Sequence, residues 1–447
     1  MLMGTRERAL RCCDRLTVNA LPITLAILVL MLQMGLTYYA SVQTVALFFL
    51  AGVILHAGIH VRFTPMVLAI YMLFSVLLLG TATVMPDTIS QNSPHIMITT
   101  IGVLGYVALI LAMISLRPIR SDWLLLFYRR SAAAIVTLIV VLVIVTDLGL
   151  ISGLTREYFI FQNVDLITNY ATRDVLEWDQ MARKAMGVQP DIDLFYGEQS
   201  FLSLVLFVSL VSHVISSRAL KRFRCTDTRS PADQGICRGV SMPLWLSGVA
   251  CMVYIQSFSS LFYAAILLGF ILSNVFWSGV AIRLTLVKSV ALLLLLLTMS
   301  WVAIETSPYY WHRLTTFSDS LSAQQRFGII FDFLPQDFLL GLHEQSKMPP
   351  FGFHNGLIYI VMMAGIGGIC LVAYLMYRVA LLAHPLGLAV LSILAVLAVF
   401  SQSGAILSPN KLVIISLVLV PLCSAEARQG QERVTVLINA LAPPVRT

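Results

Sequence analysis

Charged side chains are scarce in this sequence. Of its 447 residues only 11% are charged, 58% are hydrophobic, and the mean hydropathy is +0.87. A soluble domain carries about 25% charged residues. The deficit excludes an ordinary soluble domain. Because apolar runs recur almost to the C-terminus, a single signal peptide cannot be its cause. Most of the chain must face lipid or other helices.

Two other features are missing, and each removes a class of function. The net charge is +7, yet no basic run is interleaved with aromatic residues, so we expect no nucleic-acid surface. Among the seven cysteines, Cys225 and Cys237 lack metal-ligand spacing and have no histidine nearby, and we expect no metal site. The positive charge is instead explained by the orientation of membrane helices.

Apolar runs of membrane-spanning length recur along the chain. A hydrocarbon core of about 30 Å takes about 20 helical residues. This length predicts spans at 16-37, 40-60, 66-84, 97-116, 131-153, 200-216, 241-256, 259-276, 285-304, 356-377, 385-402 and 411-425. The prediction is an all-α integral membrane protein with about 12 transmembrane helices.

The basic residues predict the orientation of these helices. With the N-terminus inside, 21 of the 29 Lys and Arg residues fall in inner segments, six of them in the loop 217-240. The positive-inside rule therefore places both termini in the cytoplasm. None of the cysteines falls in a long outer loop, so we expect no disulfide.

Two outer segments, 154-199 and 305-355, are too long to be turns. They hold 13 of the 22 acidic residues and contain helical apolar spacing at 172-186 and 320-334. These short amphipathic helices lie on the membrane surface or pack on the bundle as lids. The loops divide the chain into 1-153, 154-199, 200-304, 305-355 and 356-447. Long charged loops on a rigid bundle are where function concentrates.

Four motifs follow one another in the stretch 311-377. They are Arg326, Leu340-Gly341, His354-Asn355 and the glycines Gly365, Gly367 and Gly368. In order and spacing this stretch resembles the O-antigen ligase/polymerase family of membrane glycosyltransferases. The resemblance implies a bacterial inner-membrane enzyme with two large periplasmic loops and a periplasmic active site. It also implies a metal-independent reaction without a cofactor.

A second element, Glu198-Gln199-Ser200, enters the next predicted helix and is similar to a Glu-Pro-Ser element of the polymerases, with Gln in place of Pro. It favours a polymerase over a ligase. One position departs from the family: Phe258 stands where a Ser-Arg pair usually provides an arginine. If that arginine holds a phosphate, Arg156, Arg173 or Arg313 must replace it here.

The residue types suit transfer from a lipid pyrophosphate. Arginine pairs bidentately with phosphate oxygens, so Arg326 and Arg313 are candidate ligands of the leaving group, with a salt bridge from Arg326 to Asp332 or Asp337 as the alternative. His354 precedes an outward-facing helix start, where the helix field disfavours a charged imidazole. A neutral His354 can take the proton of the acceptor sugar hydroxyl. That hydroxyl would attack the sugar carbon directly, with inversion of configuration.

Asn355 is a good N-cap residue type, and it is grouped with the substrate-binding candidates because it adjoins His354. Glu198 is a candidate ligand of acceptor sugar hydroxyls or, alternatively, a cap of the next helix. The expected catalytic pair is thus His354 and Arg326. The other candidates bind substrate: Arg313, Asn355, Glu198, Arg156 and Arg173.

The resemblance implies polymerisation of undecaprenyl-pyrophosphate-linked oligosaccharide repeat units. The alternative within the family is a ligase that transfers the glycan to lipid A-core. Two other readings are a flippase for the same lipid-linked units and a non-catalytic partner in an assembly complex. The expected partners are the lipid-linked donor, a glycan acceptor, membrane lipids and, by family resemblance, a chain-length regulator.

Overall fold

The computed structural model describes residues 20–32, 42–84, 93–148, 199–224, 242–255, 258–277, 335–342, 355–383, 386–401 and 409–441. Its elements, in chain order, are α1 (Ala20–Leu30), α2 (Val42–His56), β1 (Ile59–Val61), α3 (Pro65–Val84), α4 (Ser93–Ile114), β2 (Leu116–Pro118), α5 (Ser121–Asp147), α6 (Gln199–Arg224), α7 (Met242–Ile255), α8 (Phe258–Trp277), α9 (Pro335–Leu340), α10 (Gly356–Leu382), α11 (Leu386–Ser401) and α12 (Pro409–Leu441).

The described residues form an all-α multi-pass membrane protein, as the sequence predicts. Five helices, α3, α5, α6, α10 and α12, are long and apolar enough to cross a bilayer, and six shorter helices are also apolar. Together they coincide with eleven of the predicted spans. The span 285–304 and the amphipathic segments at 172–186 and 320–334 lie outside the described residues. The total of twelve spans therefore stays a prediction.

Helices α5 and α12 extend furthest beyond their predicted spans. Helix α5 begins at Ser121, ten residues before the predicted start at 131. The added turns bury Leu124, Leu125 and Tyr128, while Arg130 is exposed, so the segment is amphipathic rather than uniformly apolar. Helix α12 continues to Leu441, well past residue 425. A hydropathy window ends where charge begins, but a helix continues wherever one face remains packed.

A short antiparallel sheet, absent from the sequence prediction, joins two inter-helix connections. Strand β1 pairs with β2 in a register that places Ile59 opposite Pro118 and Val61 opposite Leu116. The pairing continues from Arg120 N–H to Ala57 O at 2.9 Å. Three-residue strands carry little sequence signal, since their pairing partner is more than 50 residues away. We call this pair of strands the hairpin, although α3 and α4 separate them in the chain, and we call the end of the bundle where it lies the hairpin end.

Helix α6 is the centre of the bundle. In its apolar window 94% of the residues are buried, and the helix contacts α5, α7, α8, α11 and α12. It is buried on every side, as expected of a helix that is apolar all round. Its interior also holds His213, whose Nδ1 lies 3.3 Å from Arg129 O on α5.

Contacts between helices fix their directions. On α3 and α10, Phe74 packs against Gly367, whereas Thr81, later in α3, and Met362, earlier in α10, both lie against Gly341. On α5 and α6, Arg129 contacts His213, whereas Val136, later in α5, and Leu210, earlier in α6, both lie against Gly248. Helices α3 and α5 begin at the hairpin, so α10 and α6 run the opposite way and begin at the far end of the bundle. Helix α12 begins there too, because Cys423, fifteen residues into it, contacts Met113 O near the end of α4 at 3.2 Å.

Ion pairs close the hairpin end. Glu426 on α12 pairs with Arg117 on β2 at 2.5 Å and with Arg378 on α10 at 3.9 Å. Arg428 on α12 pairs with Asp122 on α5 at 2.7 Å. These pairs link four elements: β2, α5, α10 and α12. The sequence predicts charged inner connections here but does not indicate which charges pair.

Candidate active site

Asn355 forms the N-cap of α10, the role that its residue type predicts. Its backbone is extended, with φ −120° and ψ 117°, and its side-chain oxygen accepts a hydrogen bond from Leu357 N–H at 3.0 Å. The residue is 4% exposed. The cap satisfies one of the free N–H groups of the helix start and fixes where α10 begins. His354 directly precedes this cap in the chain.

A sharp kink interrupts α10 about three turns below the cap. Gly365 has φ 49° and ψ −129°, which are not helical angles and which favour glycine. The break frees carbonyl groups of the preceding turn. One of them, Met362 O, accepts a hydrogen bond from Leu342 N–H at 2.8 Å, so the kink is satisfied by a different part of the chain.

The partner of the kink is a wedge formed by α9 and the two residues after it, 335–342. Gly341 has φ 92°, and its N–H donates to Asp337 O at 3.0 Å. A Cβ on Gly365 would lie 2.5 Å from Leu339 O and 2.7 Å from Gly341 N. The structure thus brings together Gly341 and Gly365, which belong to separate motifs of the stretch 311–377.

Gly367 and Gly368, the other two glycines of this motif, permit close packing, as their residue type predicts. A Cβ on Gly367 would lie 2.9 Å from Phe74 Cα on α3, and a Cβ on Gly368 would collide with Ile360 O. Both positions are buried. The glycines therefore shape the first half of α10, and they offer no side chain for chemistry.

Of the candidate site residues, the structure describes only Asn355. The catalytic candidates His354 and Arg326 lie outside the described residues, as do Arg313, Glu198, Arg156 and Arg173. The flanking helices are nevertheless placed. Glu198 precedes α6 and His354 precedes the cap of α10, and both helices begin at the end of the bundle opposite the hairpin. Phe258 is the first residue of α8.

One lysine and one aspartate that were not among the candidates are buried. Lys411, in the first turn of α12, is 3% exposed, and Asp337, on α9, is 1% exposed. Both engage partners in the fold. Beside Lys411, the side-chain oxygen of Asn410 is buried and has no hydrogen-bond partner among the described residues. Sequence alone does not reveal their burial, although Lys411 is the one basic residue in the outer connection before the last span.

Helix α12 packs along α6, and both begin at the same end of the bundle. Lys411 therefore lies at the end where α6 and α10 begin. Ionisable residues buried inside a membrane bundle are costly and commonly serve function. Among the described residues, no three His, Cys, Asp or Glu side chains are grouped as metal ligands.

Searches of family models, curated proteins and solved structures find no protein that this chain matches.

Proposed function

We propose that this protein is a membrane glycosyltransferase that polymerises oligosaccharide repeat units carried on undecaprenyl pyrophosphate. In this proposal the reaction takes place at the periplasmic face of the bacterial inner membrane, and both chain termini are cytoplasmic. The expected orientation follows from the excess of basic residues in the inner segments. The reacting groups belong to the two long outer loops, 154–199 and 305–355.

The observation that carries the proposal is the contact between the wedge and the kink of α10. Leu340-Gly341 and the glycines from Gly365 onward are separate motifs in the sequence, yet they pack on each other below the start of α10. This packing fixes the helix start that follows His354. A rigid helix start is a suitable support for a catalytic side chain, since a small displacement of the reacting group lowers the rate strongly.

The proposed reaction is an inverting displacement. A hydroxyl of the acceptor sugar attacks the anomeric carbon of the donor, and the bond to the pyrophosphate oxygen breaks. His354 takes the hydroxyl proton as general base. Arg326 and Arg313 hold the diphosphate, whose negative charge grows as it leaves, and their attraction to it increases in the transition state. Asn355 and Glu198 bind sugar hydroxyls.

Lys411 is a further candidate for binding the phosphate of the donor. Position 258 holds phenylalanine where related enzymes have an arginine, and Arg156, Arg173 and Arg313 are the arginines that can replace it. Lys411 is buried at the end of the bundle where α6 and α10 begin, and it is itself at the start of a helix. A fixed positive charge at a helix start is a favourable site for a phosphate.

The test is glycan analysis by gel in a strain that lacks this gene and carries wild-type or variant protein. We expect His354→Ala and Arg326→Ala each to abolish chain growth, because one removes the base and the other a ligand of the leaving group. Lys411→Gln should shorten or reduce the chains. In His354→Ala, which removes the base, the rate of chain growth should fall by about 10²-fold or more.

Matched controls come from the opposite end of the bundle. His60→Ala on β1 and Arg130→Ala on α5 remove the same residue types from exposed positions, and both should leave chain length unchanged. Immunoblotting of membrane fractions checks that every variant inserts. Normal glycan chains from His354→Ala at wild-type protein level would refute the enzymatic proposal. The remaining alternatives would then be a transporter and a non-catalytic partner.

The acceptor distinguishes a polymerase from a ligase. A polymerase transfers the growing glycan to another lipid-linked repeat unit, whereas a ligase transfers it to lipid A-core. Expression in two strains, each lacking one of these activities, separates the two. Rescue of chain growth supports the polymerase, and rescue of core ligation alone would overturn that preference.

A further inference from the structure

The hairpin end of the bundle has an uneven distribution of charge. Arg117 and Arg378 share Glu426, and Arg428 pairs with Asp122, so these three arginines are compensated. Within residues 57–65 and 115–121 there is no acidic residue. The adjoining Asp122 pairs with Arg428, and among the described residues no carboxylate pairs with Arg62 or Arg120, the other two arginines of these connections.

Both arginines are exposed and held in place by the backbone. Arg62 follows β1, and its N–H donates to Ser115 O at 3.3 Å. Arg120 follows β2, occupies the N-cap position of α5 and makes no side-chain capping hydrogen bond. No ion pair or hydrogen bond joins either guanidinium group to a described residue. In an antiparallel pair they lie at opposite ends of the hairpin.

Large apolar side chains stand exposed beside these arginines. Val61 is 38% exposed, Phe63 46% and Ile119 55%. This combination suits a surface at the boundary of a bilayer, because the apolar groups can enter the acyl region while the guanidinium groups remain at the level of the phosphates.

We propose that this hairpin binds anionic phospholipid headgroups of the inner leaflet, one at Arg62 and one at Arg120. The apolar side chains Val61, Phe63 and Ile119 anchor the hairpin in the leaflet. Charge favours this occupant, because no described residue pairs with either guanidinium group and a phosphate that carries net negative charge complements both. This surface lies at the opposite end of the bundle from the proposed active site. Its place in the inner leaflet rests on the proposed orientation, whereas its lipid binding does not depend on the proposed reaction.

The test is native mass spectrometry of the full-length protein in detergent with equal amounts of phosphatidylglycerol and phosphatidylcholine. Wild type should retain phosphatidylglycerol preferentially. Arg62→Gln and Arg120→Gln should each lower the affinity of one of the two phosphatidylglycerol sites about five-fold, and the double variant should weaken both sites. The losses should combine because each arginine holds its own headgroup.

The matched control is Arg130→Gln, which removes the same charge from an exposed position more than two turns along α5. It should retain phosphatidylglycerol as wild type does. An equal loss in Arg130→Gln would show that net charge, not the hairpin, attracts the lipid. Unchanged retention by the double variant, or equal retention of both lipids by wild type, would also overturn the proposal. The elution profile in size-exclusion chromatography checks that the variants are folded.

Discussion

Asn355 combines a structural role with a proposed functional one. Its capping of α10 was predictable from sequence, because a cap depends on one residue and the next few N–H groups. The burial of Lys411 was not predictable, because it depends on helices that are distant in the chain. The same contrast holds for Asp337, which in sequence is one of many loop carboxylates.

The two roles of Asn355 can be separated by substitution. Asn355→Ala removes the hydrogen bond to Leu357 N–H and should lower the free energy of unfolding by about 1 kcal/mol. Asn355→Ser retains a capping oxygen and should keep the stability. Thermal unfolding of the purified protein in detergent measures the change.

The glycan assay then separates capping from substrate binding. If Asn355 acts only as a cap, Asn355→Ser should support chains of wild-type length. If it also binds substrate, Asn355→Ser should be stable but defective. A thermal midpoint for Asn355→Ala equal to that of wild type would contradict the capping role.

At the scale of elements, the wedge and the kink of α10 depend on each other. The kink leaves Met362 O without its helical hydrogen bond, and Leu342 N–H of the wedge donates a hydrogen bond to it. The sequence places glycines in both elements, but nothing in residues 335–342 indicates where on α10 they pack. The contact joins segments more than 20 residues apart, so it is decided by packing and not by local preference.

Gly365→Ala should disrupt this contact. The backbone at this position has a positive φ, which a residue with a Cβ adopts only with strain. The added Cβ would also lie 2.5 Å from Leu339 O, a backbone atom that cannot easily move. We expect the free energy of unfolding to fall by about 3 kcal/mol. The measurement is the thermal midpoint in detergent, and glycan chains should be lost together with the stability.

The matched control is Gly269→Ala in the interior of α8. An added Cβ there meets no atom within 4 Å, and alanine is favoured over glycine in a helix, so stability should rise by about 0.5–1 kcal/mol. Equal midpoints for Gly365→Ala and Gly269→Ala would show that the wedge does not press on the kink.

On the scale of the whole molecule, charges at the hairpin end hold together elements that are far apart in the sequence. Glu426 joins β2 and α10 to α12, and its side chain is 34% exposed. Because the group is only partly buried, solvent screens these pairs and their individual contributions are modest. Their value lies in linking three elements through one carboxylate.

Glu426→Gln should leave Arg117 and Arg378 without their shared carboxylate and lower the free energy of unfolding by about 1 kcal/mol. Asp122→Asn is the control, since its side chain is 65% exposed and, among the described residues, pairs only with Arg428, so its effect should be smaller. Thermal midpoints at low and high salt check the electrostatic origin, because salt should reduce the difference. A larger loss for Asp122→Asn would reverse the expected order.

Sequence by itself determined that the chain is an all-α membrane protein, approximately where its spans lie, and that Asn355 caps a helix. Each depends on composition, on apolar runs or on a few neighbouring residues. Only the tertiary structure decided the pairing of β1 with β2, the burial of Lys411 and the insertion of the wedge at Gly365. These features join segments that are distant in the chain, and such contacts depend on how whole helices pack, which no local pattern of residues encodes.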